Sequence, residues 1–132
     1  MSVSAVDIDA AVSSLTCLKG RTPNSAGDEL DGAFGTLLRT DESGIFTACF
    51  QGKSAWERHP NGDELVQVVE GSATVTVLFS GKENVLEMTA GSATIVPRGA
   101  WHRFDAPEGV TVMTMTPQPT EHWREDSPPP DA

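Results

Sequence analysis

The chain has 132 residues and a formal net charge of −10, with 9 Lys and Arg against 19 Asp and Glu. That length provides for one hydrophobic core and not two, and so acidic a chain lacks the basic patches that nucleic acid or an anionic lipid surface requires. No apolar run is long enough to cross a bilayer and the start lacks the basic, apolar and small-residue order of a secretory signal, so a cytoplasmic protein without membrane partners is expected.

Residues Ser4 to Leu18 carry a helical pattern, with Ile8, Ala11, Val12 and Leu15 on one face and Ser4 and Asp7 spaced as a capping box. One short helix on the outside of the domain is predicted. Cys17 and Cys49 stand in unrelated surroundings without C-x-x-C spacing, which predicts small buried apolar residues and neither a disulfide nor a thiolate metal site. The stretch from Gly20 to Gly27 is dense in turn formers and reads as a loop or arm.

From about Ala33 to Thr116 the sequence changes to short segments rich in Val, Ile, Phe and Thr, punctuated by Gly, Pro, Asn and Asp. Strands are predicted at Phe34–Arg39, Ile45–Phe50, Ala55–His59, Glu64–Glu70, Ser72–Phe79, Val85–Thr89, Ala93–Val96, Trp101–Asp105 and Val110–Thr116. Many short strands at regular spacing indicate an all-β sandwich or barrel. The end, from Pro117 to Ala132, is proline-rich and acidic, and roughly its last ten residues are expected to be disordered. The chain thus divides into a helix and arm (1–32), a β domain (33–117) and a tail (118–132).

The chemistry sits on two strands. Alternation puts Glu57 and His59 on one face, with Trp56 and Arg58 on the other. The turn Pro60-Asn61-Gly62-Asp63 then brings Glu64 alongside, and a second turn, Pro97-Arg98-Gly99, aims His102 inward. Two imidazoles and a carboxylate suit Fe(II), and also Mn, Ni, Co or Zn, with coordination positions left open. The alternative for both histidines is a structural role, hydrogen-bonded in the core. Trp56 and Trp101 should point away from the ligand face, whereas Phe104, Ile95, Val68 and Val75 share its strands and are candidates to line an apolar cavity. His122, beyond the last predicted strand, reads as solvated or locally packed.

The stretches Gly52–Gly71 and Gly91–Asp105 resemble the two motifs of the cupin superfamily. The first motif's spacing is kept by Glu57-Arg58-His59, Glu64 and Gly71, although Glu57 stands where the family has its first histidine and Gly52 lies one residue closer than usual. The second is met by Gly91, Pro97, Gly99 and His102. The resemblance implies a cupin double-stranded β-helix, or jelly roll, in which His59, Glu64 and His102 bind one divalent metal and Glu57 takes the fourth ligand position. Glu57 stays open between ligand, general base and bystander. The function implied is a metal-dependent dioxygenase, isomerase or lyase acting on a small oxygenated metabolite. The alternative is a non-catalytic cupin, a sensor or carrier of a metal or small molecule. A homodimer is expected by the same analogy.

Overall fold

In the computed structural model, which describes residues 3–132, the elements in order are α1 (Ile8–Ser13), β1 (Leu18–Arg21), a 3-10 turn (Gly27–Leu30), β2 (Phe34–Arg39), β3 (Ser43–Lys53), β4 (Trp56–Arg58), β5 (Glu64–Phe79), β6 (Lys82–Thr89), β7 (Ala93–Val96), β8 (Trp101–Pro117) and β9 (Glu121–Trp123). Strands β5 and β8 organise the rest. Each fuses two segments that the sequence suggests are separate strands.

The fusion is visible in the burial phase of β5. Glu64, Val66 and Val68 are buried at even positions, but after Gly71 the buried residues are Ala73, Val75 and Val77, at odd ones. The register against β8 shifts across the same stretch, between Val68 and Glu70 and again between Gly71 and Thr74. An irregularity of this kind re-aims side chains and bends the strand without ending it. Gly71, at φ 75°, sits at the corner, and a Cβ there would collide with the carbonyl oxygen of Gly109 on β8. A glycine that reads as a turn is a bend inside one long strand.

The nine strands form one sheet with the path β1-β3-β8-β4-β9, to which β2 adds on β3, while β5 pairs with β6, β7 and β8. The sheet is curved and not closed edge to edge. This all-β jelly-roll architecture is the fold expected from the sequence. Its core includes Phe50, Val66, Val68, Val75, Val96 and Val112, each at most 4% exposed. Burial of each such side chain contributes roughly 1.5–3 kcal/mol.

The ends of the chain differ from expectation. The helix covers only Ile8–Ser13, and its N-cap is Asp7, whose carboxylate accepts from the Ala10 amide at 3.0 Å. Beyond Leu15 the chain does not continue as helix and loop but forms β1, parallel to β3, with Leu18 opposite Phe50 and Arg21 opposite Gly52. This pairing brings Cys17 beside Cys49, and the two form a disulfide with Cα atoms 4.6 Å apart. The expectation of two unpaired buried cysteines is therefore corrected: Cys17 is exposed and Cys49 half-buried. Their separation of 32 residues gave no local cue.

The tail is also structured. Strand β9 pairs antiparallel with β4, with Glu57 opposite His122. Arg58 holds Glu121 at 2.7 Å and Asp131 at 3.1 Å, and Arg103 holds Asp126 at 3.1 Å. Beneath these ion pairs lie the two tryptophans that point away from the ligand face. Trp56 Nε1 donates to the Asp126 carbonyl at 3.3 Å and Trp101 Nε1 to Asp131 Oδ1 at 3.1 Å. In place of the expected disorder, the tail covers a tryptophan-bearing face of the domain.

Candidate metal centre

His59 and Glu64 flank the Pro60–Asp63 turn, and His102 enters from β8 two positions after Ala100. All three side chains are buried, at 2%, 4% and 1% exposure respectively. His59 Nε2 lies 3.3 Å and His102 Nε2 3.0 Å from Glu64 Oε1, and the two rings are 5.2 Å apart between centroids. None of these three atoms has an aligned hydrogen-bond partner among the described residues.

The surrounding hydrogen bonds explain why. His102 Nδ1 is 3.0 Å from the Ala100 carbonyl, which can only accept, so Nδ1 carries the proton and the Nε2 lone pair of the neutral ring faces Glu64. His59 Nδ1 is held by the Thr120 hydroxyl at 3.0 Å, and Glu64 Oε2 accepts from Thr116 Oγ1 at 2.5 Å. Two acceptors, His102 Nε2 and Glu64 Oε1, thus face each other at 3.0 Å without a donor, with His59 Nε2 beside them. Acceptors this close repel one another unless a cation, either a proton or a metal ion, lies among them.

The electrostatics of the group follow from the same contacts. Burial pushes the Glu64 carboxyl up, but the adjacent imidazoles of His102 and His59 outweigh it and hold the group at about 2. Burial pushes the His102 ring down, yet the Glu64 carboxylate overrides that and leaves it raised.

Glu57 completes the group. One carboxylate oxygen of Glu57 and one nitrogen each of His59 and His102 lie within 4.8 Å of one another. Glu57 is in register with His102 on β8, and its side chain is 20% exposed. The four residues singled out in the sequence are therefore brought together, with Glu64 behind the imidazoles and Glu57 toward the opening.

That opening is a cavity of about 350 Å³ lined by Phe46, Phe50, Phe104, Glu57, His59 and Arg21, among others. Phe104 lines it as expected. Ile95 does not, being 55% exposed on the outer face, and Val68 and Val75 belong to the core. His122, which reads as solvated, reaches the rim because β9 folds back beside β4. A larger hollow of about 430 Å³ lies by the disulfide, among residues such as Lys19, Glu70 and Glu108, and holds neither histidine. The functional residues that the sequence did not reveal are Arg21, Thr116 and Thr120. No motif marks them, since each reaches the site through long-range strand pairing.

With this geometry established, the comparison with known proteins is direct. A model of the cupin domain matches residues 47–117, a little over half of the chain. The chain belongs to the cupin family. This cupin is 36% identical over 68 residues to YdbB, an uncharacterised protein of Bacillus subtilis (strain 168), in a match covering 52% of this chain and 58% of YdbB. It thus spans just over half the length of that relative. Among solved structures it resembles a conserved protein of unknown function from Streptococcus pyogenes, with TM-score 0.61 and 16% identity over 90% of each chain. It also resembles a hydroquinone 1,2-dioxygenase solved with Cd2+ and 4-hydroxybenzonitrile, with TM-score 0.56 and 17% identity over 64% of this chain and 63% of that one. At these identities the structural likeness establishes the shared fold.

Proposed function

We propose that this cupin is a metal-dependent enzyme acting on a small oxygenated metabolite, with one divalent transition metal (Fe, Mn, Ni, Co or Zn) held by His59, His102 and Glu64. The supporting observation is the convergence of three buried polar atoms, His59 Nε2, His102 Nε2 and Glu64 Oε1, that lack hydrogen-bond partners among the described residues. Two neutral imidazoles and a carboxylate fit such an ion. A bound metal would polarise a substrate oxygen or activate dioxygen, which is chemistry that dioxygenases, isomerases and lyases share.

The chain's own groups have separable tasks. The Ala100 carbonyl and Thr120 hydroxyl orient the imidazoles, and Thr116 fixes Glu64. Phe50 and Phe104, which meet edge to face with centroids 6.0 Å apart, keep bulk water from the inner wall. Glu57 is a further ligand, the base that takes a proton at its carboxylate, or a bystander paired with Arg21.

Elemental analysis tests the reading. Purified protein should carry near-stoichiometric transition metal that His59→Ala and His102→Ala lose, and wild-type protein that stays metal-free after reconstitution would overturn it. Glu57→Gln separates the three roles: a ligand loses metal, a base keeps metal and loses turnover, and a bystander keeps both.

One expectation from the sequence, the homodimer, joins this proposal. A row of outward apolar residues across five strands, Leu38, Ile45, Met115, Leu65 and Ile95, each the register partner of the next, offers a surface for a homodimer. No helix among the described residues is long and apolar enough to cross a membrane. The Cys17–Cys49 disulfide weighs against the cytoplasmic setting, because lasting disulfides belong to oxidising compartments.

A further inference from the structure

Among the described residues, Arg21 is the one Arg or Lys that lines the cavity at the candidate metal centre, and the proposed function leaves it without a task. Its side chain is 10% exposed, and its guanidinium carbon lies 4.4 Å from the Phe50 ring centroid and 5.0 Å from that of Phe34. Stacking engages the face of a guanidinium and leaves its in-plane N–H donors free. The nearest anion, Glu57 Oε1, is 3.9 Å from one terminal nitrogen, beyond hydrogen-bond range. Nε is buried and has no partner among the described residues.

A buried guanidinium whose Nε has no partner is costly, and burial correspondingly lowers its pKa. The fold nonetheless fixes it firmly. The disulfide at Cys17 pins β1 to β3, and Arg21 then lies opposite Gly52. Gly52, at φ 120°, allows an approach so close that a Cβ there would collide with the Arg21 backbone. A guanidinium brought this far to line the cavity of the metal centre is arranged to bind something.

We propose that the cavity takes a small monocarboxylate, with its carboxylate on the Arg21 guanidinium, its apolar body against Phe46 and Phe104, and its far end toward the metal ligands. This rests on the metal-dependent reading and adds the substrate class. The guanidinium fork matches a carboxylate in two parallel hydrogen bonds. Charge points the same way: a divalent metal and Arg21 set against Glu57 and Glu64 leave one positive charge, which one monocarboxylate neutralises. The cavity of about 350 Å³ has room for roughly ten non-hydrogen atoms, at ~30 Å³ for each water-sized group.

Calorimetric titration of the Zn(II)-loaded protein with benzoate and with its uncharged isostere benzamide tests this, with zinc content measured alongside. Wild type should bind benzoate at least tenfold more tightly than benzamide. Arg21→Gln should abolish that preference at unchanged zinc content, and Arg21→Lys should keep part of it. Equal binding of the two probes by wild type, or undiminished benzoate preference in folded Arg21→Gln, overturns the proposal. Should Arg21→Gln fail to fold, full retention of the preference by Arg21→Lys overturns it, because a point charge lacks the fork. The same titrations on chelator-treated protein keep the two readings apart: a protein that takes no zinc refutes the metal centre, while a benzoate preference that still follows Arg21 upholds the anchor.

Discussion

The imidazole of His102 donates its Nδ1 proton to the carbonyl oxygen of Ala100 at 3.0 Å, so the nitrogen facing Glu64 is the one left to bind a cation. On the proposed function, a proton and a metal would compete for the same lone pair. Because the Glu64 carboxylate raises the His102 pKa above its ordinary value, metal affinity should fall as pH drops through that raised pKa, by about tenfold per pH unit below it. Calorimetry in buffers of different ionisation enthalpy should detect proton release on metal uptake at pH 6.5 and less at pH 9. Pure enthalpy of coordination at both pH values would contradict this.

The metal-free protein has a stability window set by the same pair. Glu64, lowered to about 2, adds stability that is fully present above its unfolded pKa of roughly 4.3 and is lost as pH falls toward 2. His102, raised, adds stability that is fully present below its unfolded pKa of roughly 6.5 and is lost as pH rises through the folded value. Thermal melts of chelator-treated protein should peak between these limits and decline on either side. In His102→Gln the decline on the alkaline side should disappear.

Thr120 orients His59 from outside the metal ligands themselves. Thr120→Val should cost 10- to 100-fold in metal affinity, the usual effect of removing a partner of a ligating histidine, with little change in melting temperature. Competition with a fluorescent chelator would measure it. An affinity within twofold of wild type would mean that the Thr120 contact contributes nothing to the centre.

The Cys17–Cys49 disulfide closes a loop across a separation of 32 residues. The double substitution of both cysteines by Ala should lower stability by about 3–4 kcal/mol on chain-entropy grounds, read by urea denaturation. It should also weaken benzoate binding more than zinc binding, since β1 carries Arg21 and no metal ligand. Thiol labelling immediately after cell lysis would show whether the bond exists where the protein works, and full labelling would place the protein in a reducing compartment.

The outer apolar row should mediate self-association. Ile95 and Met115 are 55% and 38% exposed, and the substitutions Ile95→Lys and Met115→Glu together should turn a dimer into a monomer by light scattering. A wild-type protein that stays monomeric at high concentration would refute the dimer.

How far the sequence discloses this molecule depends on the range of the interactions. The strands β2 and β7 match their expected limits because each is a short run between turn formers. His59, Glu64 and His102 are legible for a similar reason: strand alternation and two turns, all local, decide where they point. By contrast, the corner at Gly71 looks like a turn because glycine at positive φ serves both purposes, and only the opposing Gly109 decides between them. Strand β1 pairs in parallel without a connecting turn, so nothing near Cys17 or Arg21 reveals their partners. The tail reads as disordered from its prolines and acidic residues, but those acids have Arg58 and Arg103 to meet.

Arg21 and Thr120 both lie outside residues 47–117, the stretch shared with the cupin family. A protein trimmed to that stretch would keep its four candidate ligands while losing the contact that steadies His59 and the cation that faces the cavity. The shared domain supplies the candidate ligands, and the two termini supply part of the surroundings. Changes in substrate among related barrels would then be sought in how their chain ends are laid across the mouth, and an exchange of ends between two of them is the economical route to redesign.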